Sequence, residues 1–308
     1  MLPCLLDRLT AACVGGDVRG HSVPIERRSN PLDVGFRPGD DRDPGSLARE
    51  GLRDRKPDAS SGGGDERDLA RDAQIHFDDP SEVLPPTAIN EGPPVTPRPS
   101  ATVLLVRAGD PWELLMVQRP GGADFAPGAY VFPGGTVHED DRSFPDELRA
   151  AAVRELFEEA GILLATEARE ADAERVRTLV EGGASFADAL HEARLTPDFD
   201  GLVMFARWVT PALLRRRFDA RFYLARMPEA QSVMPQEGEV VDWLWLSPAQ
   251  ALADPEITLV YATQAVLESV AKDPDVDSLF ARARALQDIP VVEPRLVQTA
   301  TGWEIARD

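Results

Sequence analysis

The chain has 308 residues, 33 of them basic and 53 acidic, and its formal net charge at pH 7 is -20. This net charge argues against non-specific electrostatic binding to nucleic acid or to an anionic membrane, because both kinds of binding need a basic protein surface. The two cysteines have no partners at zinc-finger spacing. No apolar run of about 18 residues predicts a membrane span, and we expect a cytoplasmic protein.

The N-terminal third differs from the rest in composition. Residues 1–100 hold 13 of the 27 prolines and 11 of the 23 glycines, among dense mixed charges and with no apolar period. Such a segment cannot bury enough surface to offset its ordering entropy. We therefore predict disorder over 1–98, a dispensable segment up to residue 95, and a folded domain over 99–308. A transit peptide and a misassigned translation start both stay open for the first residues.

The folded part begins with two short apolar runs around a turn. Thr102–Arg107 and Glu113–Gln118 are partly β-branched and predict a β-hairpin. The residues from there to Gly135 are dense in glycine and proline, which predicts a loop with a short extended piece at Tyr130–Phe132. A strong helix is predicted at Pro145–Ala160, with proline and acids in its first turn.

The remaining pattern alternates strands and helices. Further helices are predicted at 167–181, 185–195, 248–253 and 259–271, strands at 202–208, 221–226 and 240–246, and a weak hairpin over 291–305. This order predicts an α/β (α+β) domain with a mixed sheet and helices on its faces. The two helices within about 165–198 are predicted to form an insertion.

The chemistry-bearing residues lie at the end of the predicted helix 145–160. Glu155, Glu158 and Glu159 are three and four residues apart and share one face, so their charges repel in an isolated helix. A hard dication, Mg²⁺ or Mn²⁺, relieves that repulsion, since it prefers oxygen ligands and is commonly shared with substrate phosphates. Arg154 can hold the carboxylates in place by paired hydrogen bonds.

These residues resemble the box of the Nudix hydrolase superfamily, written G-x5-E-x7-R-E-U-x-E-E-x-G-U with U apolar. The second half of the box matches in every specified position, with the letters Arg154, Glu155, Leu156, Glu158, Glu159, Gly161 and Ile162. Gly135 would be its first glycine. The resemblance implies an α/β/α sandwich around a mixed sheet and hydrolysis of a nucleoside diphosphate linked to another group.

The first half of the box departs from the pattern. Gly135 and Arg154 are 19 positions apart, where the box has 14, so five residues are inserted in the loop. Counting back from Arg154 places the loop glutamate of the box on Asp146, with Glu147 beside it. This leaves open which acid serves there.

The resemblance also implies roles for individual residues. Metal ligands would be Glu155, Glu158 and Glu159, with the carbonyl of Gly135 as a further candidate, and Arg154 would orient the glutamates. The base that takes a proton from the attacking water would be one of these glutamates, or Glu239 or Glu237 in the loop before the predicted strand 240–246.

An acidic chain must still hold an anionic substrate. Arg119 and Arg221 are candidate phosphate contacts, although a salt-bridge role explains each arginine equally well. The tryptophans Trp208, Trp243 and Trp245 are expected in the core rather than against a base.

The segments 125–135, 207–211 and 216–223 are similar to the acyl-coenzyme A diphosphatase branch of the superfamily. This similarity extends from residue 100 to roughly residue 300 and implies an acyl-coenzyme A substrate. The alternatives are a Nudix hydrolase for nucleotide sugars, ADP-ribose or dinucleoside polyphosphates, or a non-catalytic nucleotide-binding module. The intact acidic set favours an enzyme, because a binding module does not need every carboxylate.

Overall fold

The computed structural model describes residues 88–122, 126–235, 238–300 and 302–306. The strands are β1 (Arg98–Arg107), β2 (Glu113–Gln118), β3 (Tyr130–Val131), β4 (Gly134–Thr136), β5 (Val203–Val209), β6 (Phe218–Arg226), β7 (Asp242–Leu246), β8 (Val291–Val292), β9 (Leu296–Gln298) and β10 (Trp303–Ile305). The helices are α1 (Glu147–Ala160), α2 (Glu170–Glu181), α3 (Phe186–Ala193), α4 (Pro248–Ala253), α5 (Tyr261–Val270) and α6 (Val276–Ala285). Within these ranges no helix has both the length and the apolarity that a bilayer crossing requires.

Eight of these strands form a mixed sheet. The main path runs β3-β2-β1-β6-β5-β8, while β4 pairs with β1 and β7 pairs with β2. The neighbours β1 and β6 are parallel from Arg98↔Phe218 to Val106↔Arg226, and β5 and β8 are also parallel. The other pairs of this sheet are antiparallel. The predicted mixed sheet is confirmed, and β9 and β10 form a separate hairpin near the C-terminus.

Helices cover both faces of the sheet. In β1 the side chains alternate: Val103 and Leu105 pack in the cluster that includes α1, α2 and α3, whereas Leu104 and Val106 pack in the cluster that includes α4, α5 and α6. All four are fully buried. Each contributes about 1.5–3 kcal/mol of hydrophobic stabilisation, and the period of two assigns one face to each helical layer. The expected α/β/α sandwich is confirmed.

Local signals define the helix α1 that carries the acidic residues. Asp146 caps its N-terminus and accepts hydrogen bonds from the backbone N–H groups of Leu148 and Arg149, each at 3.1 Å. At the other end Gly161 adopts a left-handed conformation with φ of 71° and donates its N–H to the carbonyl of Phe157. A residue with a side chain is strained there, so the cap and the glycine set the length of the helix.

Most predicted elements occur within a few residues of their predicted bounds. The sequence pattern missed β4 and α6, and β8, which lies at the start of the hairpin predicted over 291–305, pairs with β5 instead. The strands β4 and β8 have three and two residues, which is too short for a periodic signal, and β4 contains two glycines. The helix α6 begins at an Asp275 cap, which accepts from the N–H of Ser278, and this cap was the available signal.

The packed region begins before the predicted boundary at residues 98 and 99. Ala88 and Ile89 are buried against Leu214. The N–H of Asn90 donates to the carbonyl of Leu213 at 2.7 Å, and the N–H of Arg215 donates to the carbonyl of Ala88 at 3.0 Å. We call residues 88–97 the N-terminal arm. The predictions of disorder up to 98 and of dispensability up to 95 therefore need correction for this arm, while residues 1–87 lie outside the described part.

Two truncations test the corrected boundary. Removal of residues 1–87 is expected to leave the Tm nearly unchanged, because their composition cannot support a packed core. Removal of residues 1–97 is expected to lower the Tm by about 5 °C or more, because it also deletes the hydrogen bonds and apolar contacts of the N-terminal arm. Calorimetry of both variants beside the full chain makes the comparison. Equal Tm values for the two truncations would show that the arm adds nothing to stability.

Candidate active site

A cleft of about 520 Å³ opens where β4 pairs with β1. One end carries the acidic residues of α1, namely Glu155, Glu158 and Glu159, beside Gly135. Much of the remaining lining is apolar or aromatic, and it comes from β5, β6, α5 and the C-terminal residues. The predicted acidic cluster therefore lies in a cleft of a size suited to a small-molecule ligand.

Arg154 organises the acidic end of the cleft. Its side chain is buried, and its Nη1 donates to Glu155 at 2.9 Å and to Glu158 at 2.8 Å. Its Nη2 donates to the carbonyl of Thr136 at 2.9 Å, and Nη2 and Nε each donate to one carboxylate oxygen of Asp141, both at 2.9 Å. The five N–H donors of the guanidinium are thereby all used. Two of the three predicted ligands are thus held by one cation.

Asp141 is the residue that sequence reasoning missed. It is 1 % exposed, binds Arg154 through both oxygens, and accepts a hydrogen bond from the N–H of His138 at 2.7 Å. Asp141 is the sixth residue after Gly135, which is the spacing of the box acid when counted forwards. The five extra residues therefore fall between Asp141 and Arg154. Asp146, chosen by counting backwards, instead caps α1.

The two glycines of β4 allow the strand and the helix to approach closely. A Cβ on Gly135 would overlap the carboxylate of Glu155, and a Cβ on Gly134 would overlap the backbone of Ala101 and Thr102. The N–H of Gly134 donates to Glu159 at 3.0 Å. Gly135 is therefore directly beside a predicted metal ligand, in a position that no other residue type can occupy without displacing it.

The glutamates resist ionisation in this environment. Burial raises the pKa of Glu155 to about 7, against the opposing charge of Arg154. Burial, with the neighbouring charge of Glu155, raises the pKa of Glu159 to about 8, although the N–H of Gly134 and the charge of Arg119 oppose the rise. Burial also raises the pKa of Glu158, which Arg154 and then His138 oppose. The nearby positive charges thus balance the negative charges of the three glutamates only in part.

This donor set fits a hard dication. Carboxylate oxygens and a backbone carbonyl are the ligands that Mg²⁺ and Mn²⁺ prefer, and a bound cation relieves the cost of ionising buried glutamates. Among the described residues no three acidic, histidine or cysteine side chains already converge on one ion position. Mg²⁺ in particular usually keeps several waters and shares substrate oxygens.

Glu239 lines the cleft close enough to Glu158 and Glu159 for its charge to act on both. It is exposed in the loop before β7, and its charge contributes to the raised pKa values of Glu158 and Glu159. Its loop is anchored to the end of α1, where the N–H of Met234 donates to the carbonyl of Ala160 at 2.8 Å. The alternative base Glu237 lies outside the described residues.

The two predicted phosphate contacts lie in different places. Arg119 lines the cleft, close enough for its charge to act on Glu159. Arg221 does not line it: its neighbours Ala220 and Phe222 do, and successive side chains of a strand point to opposite faces. On that opposite face Arg221 forms an ion pair with Asp219 at 3.1 Å. We therefore withdraw Arg221 as a substrate contact.

One of the three tryptophans expected in the core also lines the cleft. Trp208 is partly buried and packs against the core cluster that includes α5 and α6, and its ring meets Tyr261 edge to face in the cleft with centroids 6.0 Å apart. Trp243 and Trp245 pack against the core cluster that includes α1, as expected. The alternation of side chains along β5 does not show which face of the strand lines the cleft. The pairing of β5 with β6 sets that face, so the sequence alone gives no signal that Trp208 lines the cleft.

Comparison with known proteins agrees with this geometry. Residues 143–261 match the family model of the NUDT19 Nudix domain. A crystal structure of a Nudix hydrolase from Alicyclobacillus acidocaldarius is 26% identical with a TM-score of 0.54, and the match covers 64% of this chain and 99% of that one. Residues 143–261 are therefore similar to a Nudix domain, and the matching family model is that of NUDT19.

Relatives with curated names match a larger share of the chain than the family model does. The acyl-coenzyme A diphosphatase NUDT19 of Homo sapiens is 28% identical over 269 residues, which covers 62% of this chain and 69% of the relative. A Nudix hydrolase of Caenorhabditis elegans is 31% identical over 158 residues, which covers 50% of this chain and 52% of the relative. The Xenopus laevis NUDT19 is 26% identical, with 54% of its length covered. The chain thus spans about half the length of two of these three relatives.

The role of Asp141 gives a first test of the site. Asp141→Asn removes the counter-charge of a buried arginine, and we expect it to lower the free energy of unfolding by about 3 kcal/mol. Asp140→Asn in the same turn is the matched control, because Asp140 is exposed and is expected to change stability by less than about 0.5 kcal/mol. Urea denaturation of both variants measures the difference. An equal, small effect of the two would contradict the buried pair.

The raised pKa values predict a pH dependence in metal-free protein. The ordinary pKa of a glutamate side chain is 4.5, whereas Glu155 and Glu159 titrate near 7 and 8 in the folded protein. The folded state therefore retains protons that the unfolded chain releases, and the free energy of unfolding falls by roughly 6 kcal/mol as the pH rises from about 5 to 8. Urea denaturation in chelator at several pH values measures the slope.

Two further conditions sharpen this measurement. Saturating Mn²⁺ is expected to restore the stability lost at pH 8, because a bound dication favours the ionised glutamates. The variant Glu159→Gln is expected to show a shallower slope, because it cannot ionise. A wild-type stability that rises over this pH range, or an unchanged slope in the variant, would refute the assigned cause.

Proposed function

We propose that this protein is a metal-dependent hydrolase that cleaves the diphosphate linkage of nucleoside diphosphate derivatives, with an acyl-coenzyme A as its substrate. The observation that carries the proposal is the set of three glutamates, two of them held by Arg154, at one end of a ligand-sized cleft. The names of the NUDT19 relatives support the substrate class. A cytoplasmic location remains a prediction from the sequence.

The residues proposed to hold the ion are Glu155, Glu158, Glu159 and the carbonyl of Gly135. When bound, Mg²⁺ or Mn²⁺ would neutralise phosphate charge and polarise a phosphoryl oxygen. Hydrolysis of a diphosphate is limited mainly by charge accumulation and positioning. The ion pairs that Arg154 makes with Glu155 and Glu158 supply the positioning, because they hold both carboxylates before substrate arrives.

The remaining steps are assigned to two residues of the cleft. Arg119 would contact a phosphate oxygen, which places a positive charge beside the diphosphate in an otherwise acidic site. Glu239 would take a proton from the attacking water while an O–P bond forms and the bridging P–O bond breaks. Its exposure at the cleft supports this role, because an exposed carboxylate there is accessible to the attacking water.

A substrate panel tests the proposed activity. With Mg²⁺ or Mn²⁺ present, an acyl-coenzyme A is expected to yield adenosine bisphosphate and acyl-phosphopantetheine, which chromatography separates. Nucleotide sugars, ADP-ribose and dinucleoside polyphosphates complete the panel, and preferred cleavage of one of these would replace the substrate assignment. Binding without cleavage of any member would instead indicate a non-catalytic module.

The variant Glu159→Gln tests the metal assignment. It keeps the side-chain volume and an oxygen acceptor for the N–H of Gly134 but loses the charge, and we expect kcat to fall about 100-fold. Glu147→Gln on the same helix is the matched control, because Glu147 begins α1 and does not line the cleft. Steady-state assays with circular dichroism of both variants separate loss of catalysis from loss of fold. Full turnover by Glu159→Gln would contradict the assignment of Glu159 as a metal ligand.

A further inference from the structure

The end of the cleft away from the glutamates has an aliphatic lining. Pro211, Leu214, Pro294 and Ile305 line this part, and none of their side chains carries a polar atom. We call these four residues the far wall. A purine or a sugar placed there would lack side-chain partners for its polar edge, whereas an alkyl or other apolar group would not.

Strand register separates the far wall from the acidic end. Gly135, which lies beside Glu155, is opposite Ala101 of β1, and Ala101 is opposite Arg221 of β6. Phe218, three residues back along β6, lines the cleft and follows the loop that contains Leu214. At about 3.3 Å per residue along a strand and about 4.8 Å between neighbouring strands, Gly135 and Phe218 are about 10 Å apart in each of these two directions. A ligand with its diphosphate at the glutamates can therefore extend an arm towards the far wall.

Buried Arg217 braces the far wall by joining three distant segments. Its Nε donates to the carbonyl of Thr210 at 3.0 Å and its Nη1 to the carbonyl of Val95 at 2.8 Å. Its Nη2 donates to the carboxylate of Glu293 at 2.6 Å. The guanidinium thus ties the N-terminal arm, the β5–β6 loop and the residue before Pro294 to one another. A buried arginine bonded through all three of its nitrogens holds the wall in one arrangement.

Apolar packing also holds the far wall in place. Leu296 of β9 and Trp303 of β10 pack against the cluster formed by Ala88, Ile89 and Leu214. The hairpin that carries Ile305 is therefore held against the β5–β6 loop and the N-terminal arm. Because both sides of the far wall are fixed, its shape exists before a ligand binds, which favours discrimination between ligands.

We propose that the far wall binds the apolar arm attached to the diphosphate and thereby determines which diphosphates this protein prefers. For an acyl-coenzyme A this apolar group is the acyl chain, which the pantetheine arm joins to the diphosphate. The inference rests on the proposed function, since it assumes that a diphosphate occupies the acidic end. Contacts of this kind contribute to binding without taking part in the reaction, so they change KM more than kcat.

The variant Ile305→Asp tests the proposal. It places a charge in the aliphatic wall, and we expect the KM for an acyl-coenzyme A to rise about tenfold more than the KM or inhibition constant of ADP-ribose, which has no apolar arm. Val297→Asp is the matched control, because Val297 is on the same hairpin, is 44% exposed and does not line the cleft. Its ratio of the two constants is expected to equal that of the wild type.

Further variants and a binding measurement make each outcome decisive. Ile305→Leu is expected to restore the wild-type ratio, which a role in folding alone would not require. Equal effects on both ligands, or the same ratio shift in Val297→Asp, would overturn the proposal. If the wild type cleaves no diphosphate, the proposed function fails, but calorimetric titration of acyl-coenzyme A in chelator still tests the far wall. About tenfold weaker binding by Ile305→Asp than by the wild type supports the proposal. Equal binding by the two proteins overturns it.

Discussion

The fold around the site depends on one guanidinium that holds together a group of buried carboxylates. Arg154 neutralises part of the negative charge of Asp141, Glu155 and Glu158, in a chain whose net charge is -20. Buried charges are tolerated only when they are paired and hydrogen-bonded. The strand β4, the turn that carries Asp141 and the end of α1 meet because each supplies an acceptor to this cation. Glu159 instead accepts the backbone N–H of Gly134 and has no hydrogen bond to this cation among those described.

The two ends of the cleft are built in different ways. Most of the acidic end comes from one continuous stretch, residues 134–159, in which a strand, a turn and a helix follow each other. The far wall combines residues from the β5–β6 loop and the C-terminus, braced by the N-terminal arm. The chemistry proposed for the acidic end applies to any diphosphate, whereas the far wall contacts the group that distinguishes one diphosphate from another. A local motif can therefore indicate the reaction class while the preference among substrates depends on long-range contacts.

Much of the secondary structure was predictable because its signals are local. The helix predicted at 145–160 is observed at Glu147–Ala160, and the strand predicted at 113–118 is observed with the same bounds. Caps, turn residues and apolar periods act over a few residues and need no partner. The strand β4 was missed, and the pairing of β8 with β5 was not predicted, because two or three residues become a strand only when a neighbour supplies the hydrogen bonds. The buried arm at Ala88 and Ile89 likewise depends on Leu214, which lies far along the chain.

The spacing of Glu155, Glu158 and Glu159 was enough to place three acids on one face of a helix, because helix geometry repeats every 3.6 residues. The choice between Asp141 and Asp146 was not available from spacing, since both lie in a loop of unusual length and only Asp141 reaches Arg154. The position of Arg221 was also undetermined, because a shift of one residue along a strand moves a side chain to the opposite face of the sheet. Helix periodicity is a property of neighbouring residues, whereas loop paths and strand faces are set by the pairing of β1 with β4 and β6.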